Sequence, residues 1–170
     1  MLKEWIVAQH TDEGDALAAE IGVTPIIGQL LWQRGIRTAE KAHAFLHPAD
    51  TPFHDPLLMA DMERGAERVL RAVRRGEPIV IYGDYDVDGM TATALLMRSI
   101  RALGGNVSYY IPNRFTEGYG LNADALQQIA GEGCRLLVTV DCGIASVDTV
   151  AEAAGGMDIV ITDHHLPGPM

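Results

Sequence analysis

A chain of 170 residues, 48% hydrophobic and 21% charged with a formal net charge of −10, is long enough for one well-packed domain with a small subdomain attached. It has no apolar run of membrane-spanning length and no signal-peptide pattern at Met1-Leu2-Lys3-Glu4-Trp5. Its two cysteines, Cys134 and Cys142, build no disulfide framework, so a reduced, cytoplasmic location and no membrane contact are expected.

Residues 1–75 read as short helices with clear punctuation. Thr24-Pro25 places an N-cap residue before Pro at the first helical position, and Gly35 closes that helix after Arg34. Thr38 opens a second helix whose apolar face carries Ala42, Phe45 and Leu46, and Pro48, Pro52 and Pro56 mark a linker-like passage. Asp61 is the expected cap of a third helix with Met62, Ala66, Val69, Leu70 and Val73 on one stripe. Arg71, Arg74 and Arg75 fall in its last turns, where they complement the helix dipole, with contact to DNA as the second reading, and Gly76 ends it.

Residues 76–170 have a different texture. Ile79–Tyr82, Val107–Ile111, Leu136–Val140 and Ile159–Ile161 are short, β-rich and mostly continuous rather than alternating in their apolar residues, as suits strands covered on both faces. Helical stretches lie between them, at about 89–103, 122–131 and 146–154. Strand and helix in alternation predict an α/β fold with an open parallel sheet and flanking helices, preceded by the small helical region. Ligands of such sheets bind outside the carboxyl ends of the strands.

Three acidic loops occupy that position: Gly83-Asp84-Tyr85-Asp86-Val87-Asp88-Gly89, Val140-Asp141-Cys142-Gly143 and Thr162-Asp163-His164-His165. If their strands are neighbours, five aspartates and two histidines converge on one edge. That much like charge needs cations to hold it together. Bound cations would also cancel part of the acidic balance that otherwise argues against a nucleic-acid binder. An EF-hand is excluded, because the twelfth loop position is Leu95 and a strand precedes the loop. An aspartyl-phosphate phosphatase with Asp84 as nucleophile needs a downstream lysine, and none follows Lys41. Asp88 alone is explained by capping the helix that starts near Gly89. Mixed carboxylate and imidazole ligands point to Mn²⁺ or Mg²⁺, whereas tightly held Zn²⁺ usually brings cysteine. Cys142 is read as a small packed residue, and His10, His43, His47 and His54 stand singly and are read as structural.

Ile81-Tyr82-Gly83-Asp84-Tyr85-Asp86-Val87-Asp88-Gly89, Val140-Asp141-Cys142-Gly143 and Asp163-His164-His165 together resemble the DHH phosphoesterase superfamily. Arg34-Gly35-Ile36, Phe45-Leu46, His54-Asp55-Pro56 and the run from Pro112-Asn113-Arg114 to Gly118-Tyr119-Gly120-Leu121-Asn122 resemble its single-strand-specific 5′→3′ exodeoxyribonuclease branch. The resemblance implies a two-metal phosphodiester hydrolase of DNA repair and recombination, with single-stranded DNA as substrate. A single-strand-binding protein and a helicase are implied partners, and a monomer is the implied state. It implies Asp84, Asp86 and Asp88 as ligands from the first loop, Asp141 as the bridge between two metals, and His164 and His165 at the second site. Asp86, Asp141, His164 and His165 would carry the catalysis, with His165 alternatively meeting the phosphate. Asp163 is either a further ligand or, the preferred reading, a group behind the metal that orients a histidine. In the loop after the second strand, Arg114 suits a bidentate grip on phosphate and Tyr119 a stacked base.

The resemblance implies a further metal-binding aspartate beyond the last motif and a domain that closes over substrate, to which the exodeoxyribonuclease branch adds an oligonucleotide-binding domain. A chain stopping at Met170 is therefore expected to be the front part of such an enzyme and inactive alone. Two other readings stay open. One is a phosphodiesterase or pyrophosphatase acting on oligonucleotides, cyclic dinucleotides or pyrophosphate; the other is a non-catalytic scaffold.

Overall fold

The computed structural model describes residues 6–50, 52–153 and 156–168. The chain forms two compact units, residues 1–58 and 59–170. In the first, α1 (Asp12–Ile21), α2 (Pro25–Gln33) and α3 (Ala39–Leu46) close around Leu17, Leu31 and Ala42. Thr11 and Thr38 cap α1 and α3 with side-chain bonds to the amides of Gly14 and Lys41. Thr24 occupies the cap position of α2 through its carbonyl alone, which accepts from Ile27 and Gly28. Buried Gln29 is satisfied by Thr11 and Asp15, as an amide taken out of water must be.

The second unit runs α4 (Met62–Arg75), β1 (Ile79–Gly83), α5 (Val87–Ala102), β2 (Val107–Tyr110), α6 (Ala123–Gly131), β3 (Leu136–Val140), α7 (Val147–Ala153) and β4 (Asp158–Thr162). The four strands form one parallel sheet in the order β2-β1-β3-β4. Ile79, Ile81, Leu136, Val138 and Val140 face α4 and α5, packing on Ala72, Met97 and Ile100. Tyr82 and Leu137 face α6 and α7, packing on Leu126, Ile129 and Val150. Burying a side chain such as Ile81, 0% exposed, contributes about 1.5–3 kcal/mol.

Three expectations shift. Helix α4 was grouped by texture with the N-terminal helices, yet Ala72 is fully buried against the sheet and the units divide between Leu58 and Met59. An amphipathic stripe shows that a helix packs, but not on what. Asp61 precedes α4 with a left-handed backbone, φ 56°, and makes no side-chain cap, because capping needs an extended conformation at that residue. Helix α5 begins at Val87, and its cap is Asp86 rather than Asp88.

The chain leaves β1 toward β2 on one side and leaves β3 toward β4 on the other. Connections therefore diverge between the carboxyl ends of β1 and β3, where a crevice opens in doubly wound sheets. The Asp84–Asp88 loop and Asp141 border that crevice.

Candidate metal centre

Asp84 follows β1 directly and is buried, 3% exposed, with the Tyr85 amide donating to its Oδ1 at 2.7 Å. Asp86 Oδ1 accepts the amides of Asp88 and Gly89 at 2.9 and 3.0 Å, fixing the first turn of α5. Those N–H groups, Gly89's foremost, hold the Asp86 carboxyl below the usual carboxylate range. The helix start lies hard against the strand end. A Cβ at Gly89 would come within 2.5–2.7 Å of the Asp84 backbone O, N and Cα, so only glycine lets α5 approach this closely.

Asp141 follows β3 in the left-handed region, φ 62°, and its amide donates to the Thr162 carbonyl at 3.0 Å. Its side chain is 6% exposed, with His164 Nε2 2.8 Å from Oδ1. Among the described residues that oxygen is nevertheless buried with no aligned hydrogen-bond donor. Burial, followed by the charge of Asp86, pushes the Asp141 carboxyl up.

Asp163 Oδ2 accepts the Ile144 amide at 3.0 Å, tying the β3 loop to the β4 loop. Its Oδ1 takes both the His165 amide at 3.0 Å and His165 Nδ1 at 2.7 Å. Burial opposes ionisation of Asp163, but the amides of Ile144 and His165 together outweigh it and hold the carboxyl low. The bond to Asp163 in turn raises His165.

Two donor groups result. Asp84, Asp86 and Asp141 bring one oxygen each within 4.8 Å of one another, and Asp141, His164 and His165 do the same with oxygen and nitrogen. Asp141 belongs to both. Asp88 is exposed in the first turn of α5 and lies outside both groups. Three carboxylates this close repel one another, and a bound cation would remove that cost. The oxygen and imidazole donors fit Mn²⁺ or Mg²⁺ in type.

The loop after β2 is held from below. Tyr110 Oη donates to Glu117 Oε1 at 2.5 Å, Glu117 Oε2 accepts the Asn113 amide at 2.7 Å, and Tyr82 Oη donates to the Gly120 carbonyl at 3.1 Å. Arg114 lies over the Tyr85 ring, 5.1 Å from its centroid. Tyr119 Oη sits 3.2 and 3.4 Å from the two ring nitrogens of His165. Tyr85 and Glu117 were not singled out in the sequence. A usable signal existed for the tyrosines that anchor this loop, since a phenol on a buried strand needs a partner for its hydroxyl.

Residues 78–170 match the family described as DHH family, N-terminal domain. The chain belongs to the DHH family. It is similar to the single-stranded-DNA-specific exonuclease RecJ of Bacillus subtilis, 44% identical over 159 residues, which are 93% of this chain and 20% of that protein. The RecJ of Escherichia coli is 37% identical over 162 residues, 94% of this chain and 27% of that protein. Among solved structures, RecJ in complex with Mn²⁺ from Thermus thermophilus aligns with TM-score 0.65 at 30% identity, covering 93% of this chain and 22% of that one. An exonuclease RecJ bound to manganese aligns with TM-score 0.58 at 39% identity, covering 63% and 28%. This DHH chain thus spans 20–27% of the length of these curated relatives.

Proposed function

We propose that this chain carries the metal-binding core of an exodeoxyribonuclease that hydrolyses single-stranded DNA from its 5′ end. The observation that carries the reading is Asp141, buried and shared by both donor groups at the sheet's switch point. Asp84, Asp86 and Asp141 would hold one Mn²⁺ or Mg²⁺, and Asp141, His164 and His165 a second. Divalent ions held there supply Lewis acidity toward a scissile phosphoryl oxygen and neutralise its charge. Asp163 holds Nδ1 of His165 from behind, which would leave Nε2 as the nitrogen free to meet an ion. Asp88 supports the helix start in this reading rather than the ions.

Arg114, held on the face of Tyr85, is placed to grip a backbone phosphate, and Tyr119 steadies His165 while offering a ring to a base. The substrate class comes from the RecJ relatives. The same reading takes a single-strand-binding protein and a helicase as partners of a monomeric enzyme in the cytoplasm. It also takes hydrolysis by these 170 residues alone to be poor, since positioning of a strand supplies several kcal/mol of barrier reduction and the chain spans a small part of its relatives. A small-substrate phosphodiesterase would use the same donors. The match to RecJ structures over 93% of the chain, helical unit included, favours the strand-processing reading. A scaffold has no need of Asp141 buried between two donor groups.

Calorimetric titration with Mn²⁺ tests the reading through Asp141→Asn. Asparagine tolerates the left-handed backbone at this position, so the variant should keep the circular dichroism of the parent. We expect its Mn²⁺ affinity to fall at least about tenfold, the scale on which metal-site substitutions act. A parent that does not bind Mn²⁺, or a variant that binds it equally well, refutes the proposal.

A further inference from the structure

A second charged cleft lies at the opposite edge of the sheet. Its walls are Arg68, Arg71 and Arg75 from α4, Glu77 ahead of β1, Arg135 ahead of β3, and Asp158 at the start of β4, around a volume of about 540 Å³. Strands of five residues separate this edge from the carboxylate loops, roughly 16 Å at the usual rise per residue.

The charges in the cleft do not balance. Arg68 takes up the carboxylates: its Nε donates to Asp158 Oδ2 at 2.5 Å, and its Nη2 lies 2.8 Å from Glu77 Oε2. Arg75 reaches Glu77 only loosely, at 3.8 Å. Arg71 and Arg135 are exposed and form no ion pair among the described residues. Four guanidinium groups face two carboxylates, a surplus of two positive charges. The carboxyl end of α4 takes back about half a charge, which leaves more than one. Dipole compensation therefore accounts for part of this arginine set and not the whole of it.

We propose that this cleft binds a free phosphate-bearing small molecule with two or more negative charges, gripped by Arg71 and Arg135 with Arg75 alongside. Guanidinium forks match phosphate oxygens in pairs, and Arg71, Arg75 and Arg135 line one cleft. A nucleic-acid strand fits less well. It needs a continuous basic track, whereas the cleft is bounded by Glu77 and Asp158 in a chain of net charge −10. A compact anion touches only the arginines.

The test is calorimetric titration of the chain with inorganic pyrophosphate, with EDTA present so that the carboxylate edge holds no ions. Saturable binding is expected, weakened at least tenfold by Arg71→Gln with Arg135→Gln and unchanged by Asp141→Asn at the opposite edge. A second pair, Arg71→Lys with Arg135→Lys, keeps the charge and removes the forks, and should weaken binding at least threefold. Absence of pyrophosphate binding, or equal affinity in both arginine pairs and the parent, overturns the site. A single-stranded oligonucleotide that binds in EDTA more tightly than pyrophosphate, and loses affinity in the same variants, overturns the small-molecule assignment.

Discussion

Gly89→Ala sets two effects of opposite sign against each other, and the structure decides which wins. Gly89 sits in the first turn of α5 with its amide capped by Asp86. On helix propensity alone, alanine would stabilise the chain by at most about 1 kcal/mol. The added methyl, however, would lie 2.5–2.7 Å from three backbone atoms of Asp84. Ordinary contact needs nearly 1 Å more, and neither a strand end nor a capped helix turn can rotate away as a side chain would. Overpacking costs about 1–3 kcal/mol, and a clash with backbone that cannot rotate away falls at the upper end, about 2–3 kcal/mol, so net destabilisation of about 1–2 kcal/mol is expected in urea unfolding. The same displacement moves Asp84 and Asp86 relative to Asp141, and metal sites tolerate about 0.5 Å of misplacement. Mn²⁺ affinity should accordingly fall at least about tenfold. A Gly89→Ala chain as stable as the parent, or more stable, with unchanged Mn²⁺ affinity would refute the close-approach argument.

Two further outcomes follow from buried or bonded protons. The bond to Glu117, aided by burial, pushes the Tyr110 phenol up to about 12. The folded chain thus keeps a proton that the unfolded chain loses from its ordinary value near 10, and the associated stability is present below pH 10 and lost as pH rises toward 12. In an alkaline titration of tyrosinate absorbance, Glu117→Gln should move one tyrosine down toward 10; an unchanged curve would show that the Tyr110–Glu117 bond does not form. Burial, and then the charges of Asp163 and Asp84, push the Cys142 thiol up to about 12, and burial likewise raises Cys134. Since alkylation requires thiolate and access, iodoacetamide at near-neutral pH should label neither cysteine in the folded chain and both in urea. Rapid labelling of Cys142 under native conditions would contradict its packing beneath the Asp141 loop.

The sheet was legible because β1 and β3 are covered on both faces, which forces continuous apolar runs that few other structures require. The partners were not legible. That Asp84 and Asp141 meet follows from β1 and β3 being neighbours, an adjacency the sequence reading had to assume. The misplaced α5 cap has a local cause: three aspartates alternate along the first loop, each a competent cap. What selects Asp86 is Gly89 seating on Asp84, a contact fixed by the packed strand end. Arg114 was singled out as a phosphate grip, but the ring that holds it belongs to Tyr85, 29 positions earlier, and no pattern in either segment announces the pair.

The arginines at the end of α4 carry the same lesson further. As a string they satisfy a helix-dipole rule, and nothing within the helix says what else they meet. Only when the fold sets Arg135, Glu77 and Asp158 around them does the charge count fail to balance. Local rules explain a residue by what lies within a turn of it. A site is where such an explanation leaves something over, as the buried Oδ1 of Asp141 does at one edge of this sheet and the guanidinium groups of Arg71 and Arg135, in no ion pair among the described residues, do at the other.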